Sequence, residues 1–314
     1  MKLLAAYDGS ECSESALDDL VNAGLPDVGE AVVITIAEVW LPPSLDDKDA
    51  TGIHLDAYSE RLIKQRYAEN TQRIEEAKDL AAVGAKRFRA ALPKWAVRSV
   101  GTYGSPSWEI LSQARELRPD LILVGSHGHR SFSRFFLGSI SQKVLTEAEC
   151  SVRIARGRIE IDEGPLRLTI GFDGSQGSFA AINSVAGRKW PESTQIRLIS
   201  AIHNVAPSII GGLIPSVREA AEEINKTEKD WIEKLAEPKL KVLHDSGLSA
   251  SLHIFSGNPK DVLVKKSEDW RADCIFLGAN AAGGRIERFL LGTTSAAVAA
   301  RAHCSVEAVR LSNY

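Results

Sequence analysis

The sequence predicts an α/β protein with two tandem Rossmann-like domains, each a parallel sheet covered by helices on both faces. Three observations lead to this fold class. Short apolar runs, typical of buried strands, alternate with helical patterns along the 314 residues. The second half of the chain repeats the first in order, spacing and residue type. Glycine-containing turns follow several of the apolar runs, where parallel strands would end at a common binding edge.

The composition is that of an ordinary globular protein, with 44% apolar and 25% charged residues. The net charge of −3 gives no general attraction to nucleic acid or to an anionic membrane, so we expect neither as a partner. No apolar run is long enough for a membrane-spanning helix. Four cysteines do not make a disulfide framework, and the expected location is therefore the reducing cytoplasm.

The internal repeat defines the domain organisation. The matching pairs of segments are Asp8-Gly9-Ser10 with Asp173-Gly174-Ser175, Gly104-Ser105-Pro106 with Gly257-Asn258-Pro259, and Cys150-Ser151-Val152 with Cys304-Ser305-Val306. These matches predict a first domain over residues 1–157 and a second over 165–314, joined by a linker at 158–164. The segments of residues 41–53 and 206–215 are predicted to be loops, and the second could serve as a lid or as an interface.

The elements follow in the same order in both halves. Apolar runs predict strands at 3–7, 32–36, 96–100, 121–124 and 152–155, and again at 166–172, 196–201, 251–255, 274–277 and 306–309. A helix is predicted at 13–21, where a serine cap precedes an acidic first turn. Another is predicted at 106–117, which begins with proline. The amphipathic spacing of 55–92 predicts a core-covering helix, with a partner or dimer surface as the alternative.

A glycine-rich segment follows the predicted strand 121–124 and opens a helix. It reads Gly-x2-Gly-x9-Gly-Ser over residues 125–139. Glycines let backbone N–H groups approach an anion, and the N–H groups of a helix start supply a second anchor. We therefore predict a nucleotide phosphate site, the alternative being a connecting loop whose glycines only allow a turn. The predicted site residues are Gly125, Ser126, His127, Gly128, Gly138, Ser139, Ile140 and Ser141, with Ser139 and Ser141 also offering hydroxyl donors.

On these residues the chain resembles the universal stress protein family in its tandem two-domain form. The resemblance is carried by Asp8-Gly9-Ser10, Gly104-Ser105-Pro106 and the pattern at 125–139, and it covers nearly all of the chain. In that family this pattern marks members that bind ATP. The resemblance implies five strands per domain in the order 3-2-1-4-5, with the two fifth strands, 151–155 and 305–309, paired antiparallel. It also implies that Asp8 contacts the nucleoside or an associated metal, and that the backbone of Ala37 contacts adenine.

Several of these residues also have a plainer interpretation. Asp8 could cap a turn as well as contact a ligand. Arg130 and Arg134 either close over phosphates or are solvated. His127 and His129 lack further ligands nearby, so no protein-bound metal is predicted, and Mg²⁺ or Mn²⁺ would bind through the nucleotide.

The repeated cysteines have two interpretations. Cys150 and Cys304 occupy equivalent positions, just before the predicted fifth strand of each half. Equivalent small residues at one place in both copies favour a packing role. The alternative, a redox sensor, requires an activated thiol. We therefore expect both cysteines to be packing residues.

The second half departs from the phosphate-binding pattern. Ala281 stands where the second glycine is expected, and the loop is one residue longer. Alanine does not freely adopt a positive φ, so this copy is predicted to be degenerate. It would bind weakly, bind another anion or stay empty. The residues that retain the pattern are Asp173, Ile202 (the counterpart of Ala37), Gly278, Gly292, Thr293 and Thr294.

The sequence thus predicts an ATP-binding regulatory protein of the stress response, with one intact site in the N-terminal domain and its two domains paired within the chain. A homodimer is left open. A slow ATP-hydrolysing or phosphate-transferring enzyme is the first alternative, although hydrolysis needs a positioned base and usually a metal, and no Walker-type motif is present. No catalytic residue is assigned. A nucleotide-free scaffold is the second alternative, and it requires both sites to be empty.

Overall fold

The structure, a computed structural model, describes residues 1–41, 56–127, 137–156, 164–202, 215–279 and 292–311. Its strands are β1 Lys2–Ala6, β2 Glu30–Ala37, β3 Ala96–Tyr103, β4 Leu121–Gly125, β5 Ser151–Ala155, β6 Arg167–Gly171, β7 Gln195–Ile202, β8 Ser249–Ser256, β9 Cys274–Gly278 and β10 Ser305–Val309. Its α-helices are α1 Glu11–Asp18, α2 Ala57–Ala91, α3 Pro106–Leu117, α4 Ser139–Glu147, α5 Gln176–Ala186, α6 Pro215–Asp245, α7 Pro259–Asp269 and α8 Thr293–Arg301.

The ten strands of the described residues form one sheet in the order β3-β2-β1-β4-β5-β10-β9-β6-β7-β8. Within each half every strand pair is parallel. The two halves join where β5 pairs antiparallel with β10, and Arg153 stands opposite Glu307 there. We call this β5–β10 pairing the seam. The predicted fold class, tandem α/β domains with parallel sheets, is confirmed.

The start of α1 differs from the prediction. The helix begins at Glu11, and Ser10, not Ser13, is its N-cap, since the Ser10 side chain accepts a hydrogen bond from the Ser13 N–H. The preceding turn explains this. Gly9 has a φ of +75°, and the chain leaves it with Ser10 extended, the conformation that an N-cap residue needs. The helix also ends early, at Asp18, and a 3₁₀ turn follows over Asp19–Asn22.

The hydrophobic cores differ between the two faces of the sheet. On one face a single core runs continuously across the seam, with Val152 of β5 and Val306 of β10 at its centre, beneath α3, α4, α7 and α8. On the other face there are two separate cores, one under α1 and α2 and one under α5 and α6. Because side chains alternate along a strand, Arg153 and Glu307 point to this second face, between the two cores.

The cysteines are packed as the repeat predicts. Cys304 is buried in the continuous core, and Cys150 packs against it. Burial raises the pKa of the Cys150 thiol to about 12 and that of Cys304 well above its usual value. Both thiols are therefore protonated at neutral pH.

Some predictions concern residues outside the described ranges. These are the loop at 42–53, most of the loop at 206–215, the linker residues 158–163, and Gly128, His129, Arg130, Arg134 and Ala281. Among the described helices, none combines the length and the apolar character that a membrane crossing requires.

Candidate functional site

A cavity of about 1060 Å³ opens at the carboxyl ends of β1, β2 and β4. In the sheet, β1 has β2 on one side and β4 on the other, so this edge is the point where the strand order reverses. Ligands of open parallel sheets bind at such a switch point. The volume lies just above the roughly 300–1,000 Å³ that is typical of small-molecule sites. We call it the N-terminal cavity.

The structure brings most of the predicted site residues together around this cavity. Those that line it are Asp8, Ala37, Gly125, His127, Gly138, Ser139, Ile140 and Ser141. Ser126 lies just behind the wall and is only 2% exposed. Its carbonyl accepts a hydrogen bond from Gly138 N–H at 2.8 Å, which ties the loop after β4 to the start of α4.

Asp8 holds the turn between β1 and α1. Its Oδ1 accepts hydrogen bonds from the Ser10 N–H at 3.0 Å and from the Ser10 hydroxyl at 2.5 Å. Asp173 makes the equivalent bond to the Ser175 N–H, also at 3.0 Å. The turn-capping role is therefore present in both halves. In the first half the same carboxylate also stands at the cavity wall.

The first turn of α4 forms one wall of the cavity. Its N-cap, Gly138, has no side chain to bond the first N–H groups of the helix, which also lack intrahelical partners. The N–H groups of Ser139, Ile140 and Ser141 are thus placed as an anion anchor. The Ser141 hydroxyl does not join them, because it donates its hydrogen to the Gly125 carbonyl at 2.7 Å. Ser139 and Ser141 were the two expected hydroxyl donors. The hydroxyl of Ser141 instead joins the start of α4 to the end of β4.

Gly125 is a glycine for a reason that the sequence did not predict. Its φ is not positive. A Cβ at this position would lie 3.1 Å from the carbonyl carbon of Cys12, so a side chain would require the backbone of α1 to move by a few tenths of an ångström. The equivalent Gly278 is closer still, since its Cβ would lie 2.3 Å from the carbonyl carbon of Gly177. Helix packing therefore favours glycine at position 125 and requires it at position 278, whether or not an anion binds.

Ala37 ends β2 at the rim of the cavity. Its carbonyl already accepts hydrogen bonds from the Val39 N–H at 2.8 Å and the Gly104 N–H at 3.0 Å. Both lone pairs of this oxygen are thereby used. In the second half, the carbonyl of Ile202 accepts from the Gly257 N–H at 3.0 Å, so the strand end is built alike.

The second half keeps the scaffold of the site. Gly292 is the N-cap of α8, and its N–H donates to the Ala279 carbonyl at 3.1 Å. Ser295 donates to the Gly278 carbonyl at 2.8 Å, as Ser141 does to Gly125. Thr293 and Thr294 form the first turn of α8. The two halves therefore share a framework, and the loop in which their sequences differ lies at 280–291, outside the described residues.

Sequence reasoning missed the contribution of α2 to the cavity. Arg73 and Glu76 bring charges to the wall, next to Ala77 and Leu80. The spacing of Arg73, Ala77 and Leu80 places them on one helix face, which is the signal that could have revealed them. The missed apolar wall includes Ile34, Ile36, Val39 and Ile110. Among the described residues, no three His, Cys, Asp or Glu side chains are grouped as a metal site would need.

Comparison with known proteins gives a consistent result. The model of the "Universal stress protein family" matches the chain twice, over residues 1–156 and 166–310. Universal stress protein YxiE from Bacillus subtilis is 31% identical over 157 residues, which are 49% of this chain and 98% of that protein. A universal stress protein from Thermus aquaticus is 29% identical over 154 residues, covering 49% and 97%.

A solved structure matches the whole chain. The crystal structure of a universal stress protein from Archaeoglobus fulgidus covers 99% of this chain and 97% of its own, with a TM-score of 0.61 and 19% identity. At that identity the likeness concerns the fold alone. It nevertheless extends over both halves of the chain together.

Proposed function

This chain belongs to the universal stress protein family, and we propose that it is a regulatory protein that binds one ATP in its N-terminal cavity. The proposal includes the domain limits 1–157 and 165–314. The single observation that carries it is the convergence of the predicted residues from three separate parts of the chain on one cavity at the switch point of the sheet. The turn after β1, the loop after β4 and the start of α4 all reach it.

The cavity offers the two kinds of surface that a nucleotide needs. The start of α4 presents N–H groups and a positive helix end, which suit a phosphate chain. The apolar side chains of Ile34, Ile36 and Ile110 suit a purine ring. Arg73 adds a cationic side chain at the wall, where it can donate to phosphate oxygens. Any Mg²⁺ or Mn²⁺ is bound through the nucleotide, with Asp8 as the nearest carboxylate of the turn.

The proposed regulatory effect follows from where α4 packs. Its first turn binds the phosphates, and its buried face, with Val144 and Leu145, belongs to the core that continues across the seam. Val298 and Ala299 of α8 belong to the same core. Nucleotide binding that favours one position of α4 therefore favours one arrangement of the surface shared by both domains.

Nucleotide content is the first test. The purified full-length protein is denatured in acid, and any released nucleotide is identified and counted per chain. We expect up to one ATP per chain, and calorimetry with added ATP should give the same stoichiometry. A protein that releases no nucleotide and binds none when ATP is added does not have the proposed function.

A matched pair of proline variants tests the anion anchor itself. Ser139 and Thr293 are the first residues of α4 and α8, and proline is well tolerated at this helix position. The preceding Gly138 and Gly292 have ψ values of 151° and 143°, which proline also requires of its predecessor. Each substitution therefore removes one N–H and one hydroxyl with little effect on folding.

We expect Ser139→Pro to weaken ATP binding about 10- to 100-fold, because a hydrogen bond to a charged group contributes about 1.5–3 kcal/mol. Thr293→Pro should leave the affinity within about twofold, which is below 1 kcal/mol. Ser139→Ala removes the hydroxyl and keeps the N–H, so it separates the contributions of the two groups to ATP binding. Equal losses in the two proline variants, or no loss in Ser139→Pro, would contradict the assignment of the site to the first half.

A further inference from the structure

Three side chains at the wall of the N-terminal cavity form a hydrogen-bonded series, and His127 is the one that lines the cavity. Cys12 lies in the first turn of α1, and its Sγ is 3.2 Å from Nε2 of His127. The other ring nitrogen of His127, Nδ1, is 3.0 Å from the hydroxyl of Ser126. A nucleophile next to a base that is oriented by a third group is the arrangement of an activated nucleophile.

The tautomer of His127 decides what the imidazole can do. With its hydrogen on Nδ1, the ring donates to Ser126 Oγ and leaves Nε2 as an acceptor. Nε2 then faces the thiol of Cys12 and is placed to take its proton. Ser126 is buried, which fixes its hydroxyl and, through it, the ring.

The remaining cysteines do not share this environment. Cys274 and Cys304 are buried, and Cys150 packs against the core. Burial raises the pKa of the Cys150 and Cys274 thiols to about 12, and that of Cys304 well above its usual value. Cys12 is half-buried, with a base at hydrogen-bond distance. The thiolate is the reactive form of cysteine. Cys274 accepts a hydrogen bond from Arg153 Nη1 at 3.2 Å but is fully buried, whereas Cys12 has a histidine that can take its proton.

We propose that Cys12 is an oxidation site, converted by hydroperoxides to a sulfenic acid with His127 as the base. His127 Nε2 takes the thiol proton, and the sulfur attacks the terminal oxygen of ROOH. The S–O bond forms as the O–O bond breaks, and His127 returns the proton to the departing alkoxide. Sulfur loses two electrons and the hydroperoxide gains them, so Cys–SH and ROOH give Cys–SOH and ROH.

The site belongs to the first half alone. The residue equivalent to Cys12 is Gly177, and the sequence places Asn280 where the first half has His127. Gly177 packs against Gly278 as Cys12 packs against Gly125, so the backbone arrangement is shared while the reactive pair is not. The second half of the chain therefore serves as an internal comparison.

Oxidation of Cys12 would act on the nucleotide site through His127, which lines the N-terminal cavity. The Sγ of Cys12 lies only 3.2 Å from Nε2 of His127. A sulfenic oxygen on this sulfur adds bulk and polarity between α1 and the imidazole. We expect the ring to shift toward the cavity and to weaken nucleotide binding. This regulatory consequence rests on the proposed function, whereas the oxidation itself does not.

The test is a mapping of sulfenic acid in the full-length protein. Hydrogen peroxide is added with dimedone, which traps sulfenic acids, and the adducts are located and timed by peptide mass spectrometry. We expect the adduct to form at Cys12 at least about tenfold faster than at any other cysteine, since a positioned general base typically contributes roughly 10²–10⁴-fold to a rate. In urea, where the fold is lost, all four cysteines should react at similar rates.

Two variants assign the roles. Cys12→Ser should remove the adduct, and Cys304→Ser should leave it unchanged. His127→Gln, which keeps a hydrogen-bonding side chain of similar size, should slow the reaction at Cys12 at least about tenfold. An adduct spread over the other cysteines, or a wild-type rate in a folded His127→Gln, would overturn the proposal.

The effect of Cys12 oxidation on ATP affinity is measured independently of the adduct. Peroxide treatment should weaken ATP binding by the wild type about fivefold or more, a change of roughly 1 kcal/mol. It should leave Cys12→Ser unaffected. An adduct at Cys12 in a protein that never binds ATP removes the proposed function and leaves the oxidation site standing. Tight ATP binding without a Cys12 adduct overturns the oxidation site and leaves the proposed function standing.

Discussion

The strongest test of the fold is the removal of one charge from the seam. Glu307 of β10 is fully buried, and its carboxylate contacts two guanidinium groups. Arg153 Nη1 lies 3.3 Å from Oε2, Arg188 Nη1 lies 3.0 Å from the same oxygen, and Arg188 Nη2 is bonded to Oε1. Arg153 also binds Asp19 through Nε at 2.8 Å. Two cations and two carboxylates thus balance inside the protein.

Glu307→Gln keeps the shape of the side chain and removes its charge. Arg153 keeps its ion pair with Asp19, whereas Arg188 loses its carboxylate partner, so one buried positive charge has no counterion. Breaking a buried ion pair by removing one partner costs about 3–5 kcal/mol. We expect a loss of that size in the free energy of unfolding. It is a large fraction of the roughly 5–15 kcal/mol that stabilises an ordinary protein.

The assay is urea unfolding at pH 7, followed by circular dichroism, for the wild type, Glu307→Gln, Arg153→Met and the double variant. Each single variant leaves an unbalanced charge of opposite sign, and the double variant restores neutrality. The double variant should therefore lose at least about 1 kcal/mol less than the two single losses added together. Losses that add to within about 0.5 kcal/mol, or a loss below about 1 kcal/mol in Glu307→Gln, would refute the reasoning.

Two further predictions concern the pH dependence of the seam and the glycine turns after β1 and β6. Burial alone would raise the pKa of Glu307, but the guanidinium groups of Arg188 and then Arg153 hold it below its usual value. A depressed pKa in the folded state adds stability above the unfolded value of about 4.3, and this stability is lost as the pH falls through the folded pKa. The difference in unfolding free energy between the wild type and Glu307→Gln should narrow in acid, and a constant difference down to about pH 3 would contradict this. Gly9→Ala and Gly174→Ala should each lower the unfolding free energy by about 1–2 kcal/mol, because both glycines have a φ above +70°. Thermal unfolding measures this, and unchanged transitions would show that these turns relax.

The sequence predicted the strands and the binding edge well because local signals report them. Apolar runs of β-branched and aliphatic residues marked the strands, and turn residues marked where the strands end. The turn at Asp8 and the helix start at Ser139 were found in this way. The repeat then doubled each signal, so that one half supported the reading of the other.

Contacts between distant residues were out of reach for the same reasoning. In the sequence, Arg153 is a single charged residue inside an apolar strand. No local sequence signal identifies Asp19 as its partner, because Asp19 is 134 residues away. Arg73 is exposed and looks like any other charge on a long amphipathic helix, although it reaches the cavity. Cys12 and His127 meet only because α1 packs against the end of β4. Each of these depends on the tertiary arrangement.

The seam shows what the covalent joining of two copies makes possible. Arg153 and Glu307 occupy equivalent positions of the repeat, 154 residues apart like Cys150 and Cys304, yet they face each other. If two identical fifth strands paired antiparallel in this register, residues 152 and 154 would face each other and only residue 153 would face its own copy. Arg153 would then meet Arg153, and like charges placed opposite each other in a buried strand pair are destabilising. A buried ion pair at this position therefore requires two unlike strands. The same pair disfavours pairing of β5 with the β5 of a second chain in this register, so the charges that stabilise the seam also direct the first half toward its own second half.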